Sequence, residues 1–255
     1  MNFIISANTD IGISKSTNQD SLTSMVLRTP LGKMVFSVLC DGMGGLEKGE
    51  VASASMIRAF RAWALEELPG LCKAPLEDGT IRRQWDRIIQ EQNRKIGAYG
   101  AAHGVRLGTT VVAMLLTQDR YYILNVGDSR AYEIGTELRQ ITVDQTLVQR
   151  EVMLGNLTQE EAQVDSRRNI LLQCVGASRE VRPELFSGPV LQNGVYLLCS
   201  DGFVHEITPE EVFEKLQPGV LFDEHMMHNN TRSLIERNKQ RLEQDNISVV
   251  LVRTF

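Results

Sequence analysis

Three aspartates stand at the ends of hydrophobic runs, and their type and placement point to hydrolysis assisted by metal ions. Asp41 closes the run Met34-Val35-Phe36-Ser37-Val38-Leu39-Cys40 and is followed by Gly42-Met43-Gly44-Gly45. Asp201 closes Val195-Tyr196-Leu197-Leu198-Cys199-Ser200 and is followed by Gly202. Asp245 and Asn246 open the run Ile247-Ser248-Val249-Val250-Leu251-Val252. A carboxylate at the end of a buried strand is costly to desolvate unless a cation or hydrogen-bond donors compensate it. Carboxylates, backbone carbonyls and water are hard ligands, which select Mg²⁺ or Mn²⁺ over zinc or copper. Gly42 has no Cβ, so its carbonyl can approach a second ion closely. Two cations about 3.5–4 Å apart, bridged by a carboxylate and a water, would present that water for in-line attack on phosphorus. Alone, an Asp-Gly after a strand is an ordinary turn. The three carboxylates gain chemical meaning only if their strands share one sheet edge.

The surrounding sequence can build such an edge. Residues 2–7, 22–28, 109–116, 121–126, 131–134 and 185–187 read as strands beside the three already named. Gln118-Asp119 and Gly127-Asp128 have the composition of hairpin turns. Short connections of this kind favour antiparallel pairing. A helix is expected from about Lys48, with Ala52, Met56, Ala59, Phe60 and Trp63 on one stripe and Pro69-Gly70 ending it. Thr80 is the expected cap of a second helix carrying Ile81, Trp85, Ile88, Ile89, Ile96 and Tyr99. Residues 144–154 and 158–162 read as two short helices, with Thr158 and Glu161 as a capping box. Thr208-Pro209 starts another helix, and residues 232–242 form the last. Amphipathic helices must cover a sheet face. The expected fold is therefore α+β: a central antiparallel β-sandwich flanked by helices on both faces, in α-β-β-α layers. One domain spanning residues 1–255 is expected.

Bulk properties narrow the partners. The chain has 255 residues, 42% of them hydrophobic and 23% charged, so a sizeable core is available. A net charge of -5 without a long basic run argues against nucleic acid or an anionic membrane as partner. No apolar run approaches the roughly 20 residues of a membrane span, and the N-terminus lacks the features of a secretory signal. A cytoplasmic location is the expectation. Cys40, Cys72, Cys174 and Cys199 show no C-x-x-C spacing, and a disulfide is not expected.

Six motifs occur together in one order: Gly12-Ile13-Ser14-Lys15-Ser16-Thr17-Asn18-Gln19-Asp20, Asp41-Gly42-Met43-Gly44-Gly45, Gly108-Thr109-Thr110, Asn125-Val126-Gly127-Asp128-Ser129-Arg130, Cys199-Ser200-Asp201-Gly202 and Asp245-Asn246-Ile247-Ser248. In this order and spacing the chain resembles the metal-dependent protein Ser/Thr phosphatases of the PPM, or phosphatase-2C-like, family in its bacterial form, over nearly its whole length. The resemblance implies that Asp41 bridges two Mn²⁺ or Mg²⁺ ions and that Gly42 ligates through its carbonyl. Asp201 and Asp245 would hold one of the ions, and Asp20 would orient metal-bound water. Asp128 would help bind a weaker third ion beside Asp201. Lys15 would grip the substrate phosphate. Residues 144–165 correspond to the family's flap, a small subdomain, with Gln149, Arg150 and Glu151 placed to influence substrate choice. The implied activity is hydrolysis of phosphoserine and phosphothreonine in proteins that a Ser/Thr kinase has phosphorylated, a signalling role, by a monomer.

The chain departs from the family at four places. Lys15 stands where Arg is common, giving a point charge in place of a bidentate fork. Met43 stands where some relatives have a His proposed as general acid, so water or another group must protonate the leaving alkoxide. Gln19 replaces a common Glu, and Gln145 a common His. Lys15, Met43 and Gln19 motivate a rival reading, a catalytically weak or inactive phosphatase-fold module that binds a phosphoprotein or regulatory partner. Retention of Asp41, Asp201 and Asp245 speaks against it. A dinucleotide fingerprint is disfavoured because its third glycine would fall at Glu47. No P-loop motif is present, and His225 and His228 read as a solvated helix start.

Overall fold

A computed structural model describes residues 1–43 and 48–255. Gly44 and Gly45, the last two residues of the second motif, lie outside the described residues. The first strands are β1 (Phe3–Asp10), β2 (Ser21–Thr29), β3 (Gly32–Cys40) and the two-residue β4 (Gly42–Met43). Helices α1 (Gly49–Ala62), α2 (Leu68–Leu71) and α3 (Asp78–His103) follow, with one wide helical turn, Trp63–Glu67, between the first two. Next come β5 (Gly108–Thr109), β6 (Val111–Leu116), β7 (Arg120–Val126), β8 (Arg130–Ile134), β9 (Leu138–Gln140), α4 (Leu147–Met153) and α5 (Gln159–Val164). The chain finishes with β10 (Glu184–Pro189), β11 (Val195–Cys199), α6 (Pro209–Leu216), α7 (Glu224–Gln240) and β12 (Ile247–Thr254).

Two five-stranded antiparallel sheets pack face to face, in the orders β1-β12-β11-β8-β9 and β10-β7-β6-β3-β2. The central strands β3, β6, β7, β11 and β12 are buried on both sides, which is why they read as unbroken apolar runs. Val35 and Leu39 of β3 meet Leu198, Val250 and Val252 of the opposite sheet between the layers. Alternate residues Phe36 and Val38 turn outward to α1 and α3, where Phe60, Trp63 and Trp85 cover them. On the far side, Leu197, Cys199, Val249 and Leu251 pack beneath Val212, Leu234 and Ile235 of α6 and α7. Trp63 and Trp85 meet edge to face at 5.6 Å, and Phe36 lies 5.5 Å from Trp63, in the range where aromatic pairs attract beyond their buried area. The four-layer sandwich is as expected, and all four cysteines are buried thiols.

Several local expectations are corrected. Pro69-Gly70 does not end the first helical segment. The wide turn at Trp63–Glu67 shifts the register, so Pro69 falls in the first turn of α2, where no N–H is required of it. Thr80 is not the cap of α3; that helix starts after extended Glu77, and Thr80 lies in its first turn with its N–H on the Glu77 carbonyl at 2.9 Å. The last helix starts at Glu224, capped by the Asp223 side chain, earlier than expected. Gly127-Asp128 joins no hairpin. β7 pairs with β6 and β10, whereas β8 pairs with β11 and β9, so this turn carries the chain from one sheet to the other. The expected capping box of Thr158 with Glu161 is formed, and Thr208 forms a second one with Glu211.

Candidate active site

Strand register brings the carboxylates to one end of the sandwich. Ser21 of β2 lies opposite Cys40 of β3, so Asp20 and Asp41, the next residues outward, are neighbours. Cys199 of β11 pairs with Val249 of β12 on one side and with Arg130 of β8 on the other. Asp201, Asp245 and Asp128 therefore leave the same end of the first sheet. The three carboxylates recognised at strand ends do not share one sheet edge: Asp41 leaves the second sheet with Asp20, Asp201 and Asp245 leave the first with Asp128, and the two groups meet across one end of the sandwich.

Neutral hydrogen bonds fix the backbone around them. The Asp41 N–H donates to Thr110 Oγ1 at 3.0 Å, and its carbonyl accepts from the Thr110 N–H and Thr109 Oγ1, both at 2.9 Å. The Gly108-Thr109-Thr110 motif is thus the clamp that holds Asp41. Asn246 Oδ1 accepts from the Gln19 N–H at 2.8 Å, and its Nδ2 donates to the Ile11 carbonyl at 2.9 Å, tying the first motif to the last. Gln145 is buried, donates its N–H to the Gly127 carbonyl at 3.0 Å and accepts from the Gly127 N–H at 2.8 Å. It holds the turn that carries Asp128. With its amide oriented to satisfy both groups, Gln19 donates to the Gly42 carbonyl and accepts from the Gly49 N–H, each at 3.1 Å.

The electrostatics are those of a site that lacks positive charge. Burial, then the charges of Asp20, Asp201, Asp245 and Asp128, hold the Asp41 carboxyl well above its ordinary range, although its surface retains some solvent contact. Burial, then Asp201 and Asp144, does the same at Asp128, against the pull of His205 and Arg130. Burial pushes Asp20 up to about 7, with Asp201 and Asp245 adding to it and the Ser248 and Ser200 hydroxyls opposing it. Neither hydroxyl reaches hydrogen-bond geometry, and both Asp20 carboxylate oxygens are buried without a partner. Unpartnered buried oxygens among like charges are what a divalent cation would satisfy. Among the described residues no three His, Cys, Asp or Glu side chains close a coordination group by themselves, so the donor set fits a hard cation that takes carbonyl and water ligands as well.

Lys15 brings a positive charge to the cluster. Its Nζ lies 2.8 Å from Asp245 Oδ1, with both side chains partly exposed. Burial works against its charge, but Asp245, Asp41 and Asp201 together raise its pKa. A cavity of about 400 Å³ opens beside Asp128 and Asp201 and is walled by Gln149 of α4, Arg168 and Thr208. Of the expected flap residues, Gln149 faces this cavity, while Arg150 and Glu151 pair with each other at 3.6 Å.

Sequence reasoning passed over His205 and Glu243. His205 stands four residues after Asp201, with Nε2 3.5 Å from Asp201 Oδ2 and Nδ1 3.3 Å from Glu243 Oε2. Burial disfavours its charge, but Glu243 and Asp201 raise its pKa overall. The spacing from each neighbouring aspartate was the available signal. Gly49 was also missed: a Cβ there would lie 2.5 Å from the Gly42 carbonyl oxygen.

Residues 13–234 match the family model described as protein phosphatase 2C. The serine/threonine phosphatase stp of Listeria monocytogenes is 33% identical over 221 residues, covering 84% of this chain and 82% of that protein. Among solved structures, serine/threonine phosphatase Stp1 from Staphylococcus aureus superposes with a TM-score of 0.84 at 26% identity, covering 100% of this chain and 96% of that one. The catalytic domain of the serine threonine protein phosphatase PstP, solved in complex with two manganese ions, gives a TM-score of 0.78 at 29% identity, with 98% and 97% covered.

Proposed function

The chain belongs to the protein phosphatase 2C family and is a metal-dependent protein-serine/threonine phosphatase, and we propose that Asp41, Gly42, Asp201 and Asp245 supply the ligands of its metal centre. Two Mn²⁺ or Mg²⁺ ions held there would supply a nucleophilic water and neutralise phosphate oxygens. Asp41 would serve both ions, the Gly42 carbonyl would help hold one, and Asp201 and Asp245 would hold the other. Asp20 would accept from the metal-bound water and fix its direction. Asp128 would join Asp201 in holding a weaker third ion. The observation that carries this assignment is the convergence of five aspartates from both sheets at one end of the sandwich, with both Asp20 oxygens buried and unpartnered.

Lys15 leaves Asp245 to hold the substrate phosphate by charge alone. Met43 has no proton to give, so the leaving alkoxide takes its proton from water. Residues 144–165 act as the flap of one domain spanning 1–255, and Gln149 meets the phosphoprotein chain. The enzyme serves in signalling as a cytoplasmic monomer, reversing the work of a Ser/Thr kinase, with neither nucleic acid nor membrane as partner; the net charge of -5 supports the last point. The relatives matched above carry phosphatase names, which favours turnover over a non-catalytic binding role. The test is hydrolysis of p-nitrophenyl phosphate and of phosphothreonine peptides. Activity should require Mn²⁺ or Mg²⁺, vanish with chelator and fall to background in Asp41→Asn. Clean, folded protein without turnover under either metal would refute the assignment.

A further inference from the structure

A histidine joins two loops that each deliver a carboxylate to the site. His205 lies just beyond the Asp201–Phe203 turn, and its side chain is 18% exposed. One ring nitrogen faces Asp201 at 3.5 Å and the other faces Glu243 at 3.3 Å. Both contacts are long for hydrogen bonds and sit within ion-pair range. Glu243 is buried, and its second oxygen accepts the backbone N–H groups of Gln244 at 2.7 Å and Asp245 at 2.8 Å. A continuous line therefore runs from the Asp201 carboxylate through His205 and Glu243 to the backbone of Asp245.

The line opposes a specific force. Asp201 and Asp245 repel each other, and each follows or precedes a strand by only one or two residues, so nothing in the sheet ladder holds their side chains. An imidazole between Asp201 and Glu243 offers one polar nitrogen to each and cannot reach further. Glu243 in turn pins the loop that carries Asp245, through two backbone donors. We propose that His205 and Glu243 form a brace that sets Asp201 and Asp245 at the spacing their shared cation needs, an inference that rests on the metal assignment above. Both are positioning residues: they touch the ligands and take no part in the reaction. Partners of this kind typically set metal affinity by about 10–100-fold.

Calorimetric titration of Mn²⁺ into the metal-free protein tests the brace without recourse to turnover. His205→Ala should weaken the Mn²⁺ Kd by about 10–100-fold, with the far-UV spectrum and cooperative melt retained. At saturating Mn²⁺ its KM for p-nitrophenyl phosphate should stay within about twofold of wild type, because substrate contacts are untouched. His205→Gln should recover part of the affinity, since one amide can donate to both acids. Glu243→Ala should weaken binding similarly, and the double variant should be little worse than either single one. If His205→Ala does not fold, Glu243→Ala alone decides: weakened binding supports the brace. Wild-type Mn²⁺ affinity in a folded single variant, or fully additive losses in the double variant, would overturn it. Wild-type protein that binds no Mn²⁺ would overturn the metal assignment itself, a distinct result.

Discussion

Lys15 Nζ sits 2.8 Å from Asp245 Oδ1, so the cation assigned to the substrate phosphate is paired with a carboxylate assigned to a metal ion. Partly exposed ion pairs of this kind contribute only about 0–1 kcal/mol. A phosphate dianion can therefore draw Lys15 away. Lys15→Ala should raise KM for a phosphothreonine peptide roughly tenfold, the scale of one lost charge-assisted contact. Its Mn²⁺ Kd should change much less. Lys15→Arg should lower KM by restoring a bidentate fork. An unchanged KM in Lys15→Ala would remove the residue from phosphate binding.

Gly42 and Gly49 touch backbone to backbone, with Gln19 bridging them. A methyl group on Gly49 would lie 2.5 Å from the Gly42 oxygen and 2.6 Å from its carbonyl carbon, so either β4 or the start of α1 must shift. Gly49→Ala should cost about 1–3 kcal/mol of stability and weaken Mn²⁺ binding through the displaced carbonyl. Thermal melts and calorimetry read the two effects separately. Wild-type values in both would mean that the contact yields without consequence.

The clustered aspartates trade stability for function. Burial and mutual repulsion hold Asp41 and Asp128 far above their ordinary range, so charge at this site disfavours the metal-free fold. Asp41→Asn removes one charge at nearly constant volume. Its metal-free Tm should exceed that of wild type, by about 2–4 °C for each kcal/mol of repulsion relieved. With excess Mn²⁺ the order should reverse, because only wild type gains the full binding free energy. A metal-free Asp41→Asn that melts below wild type would contradict the repulsion.

Glu211 joins α6 to α7. Its carboxylate accepts from Arg237 at 2.7 Å and from Arg241 through both nitrogens at 2.7 Å, and it completes the Thr208 capping box. The Arg241 hydrogen bond first, then the Thr208 backbone and Arg237, lower its pKa to about 2. A depressed folded-state pKa means that the contribution is fully present above the unfolded value near 4.3 and is lost as pH falls through about 2. The Tm gap between wild type and Glu211→Gln should be constant from neutral pH to about 5 and narrow below about 4.3. A gap independent of pH would assign the effect to shape alone.

Much of this was legible in the sequence because both faces of the central strands are buried. That double burial writes β3, β11 and β12 as plain hydrophobic runs and makes a carboxylate at their ends conspicuous. The capping box at Thr158 and the helix start at Thr208-Pro209 are local chemistry and could be read directly. The crossing at Gly127-Asp128 could not, since a glycine turn looks the same whether its strands pair or part. Thr80 failed as a cap because Glu77 and Asp78, which suit the positive end of a helix, already begin the turn ahead of it. His205, Glu243 and Gly49 matter through contacts with residues distant in sequence or across a turn, and no periodicity reports those.

Anomalous diffraction from crystals grown with Mn²⁺ tests the central claim most directly. Two manganese peaks are predicted at this end of the sandwich, bridged by Asp41, with the Gly42 carbonyl on one ion and Asp201 and Asp245 on the other. A well-ordered site with no manganese among Asp41, Asp201 and Asp245 would contradict the account.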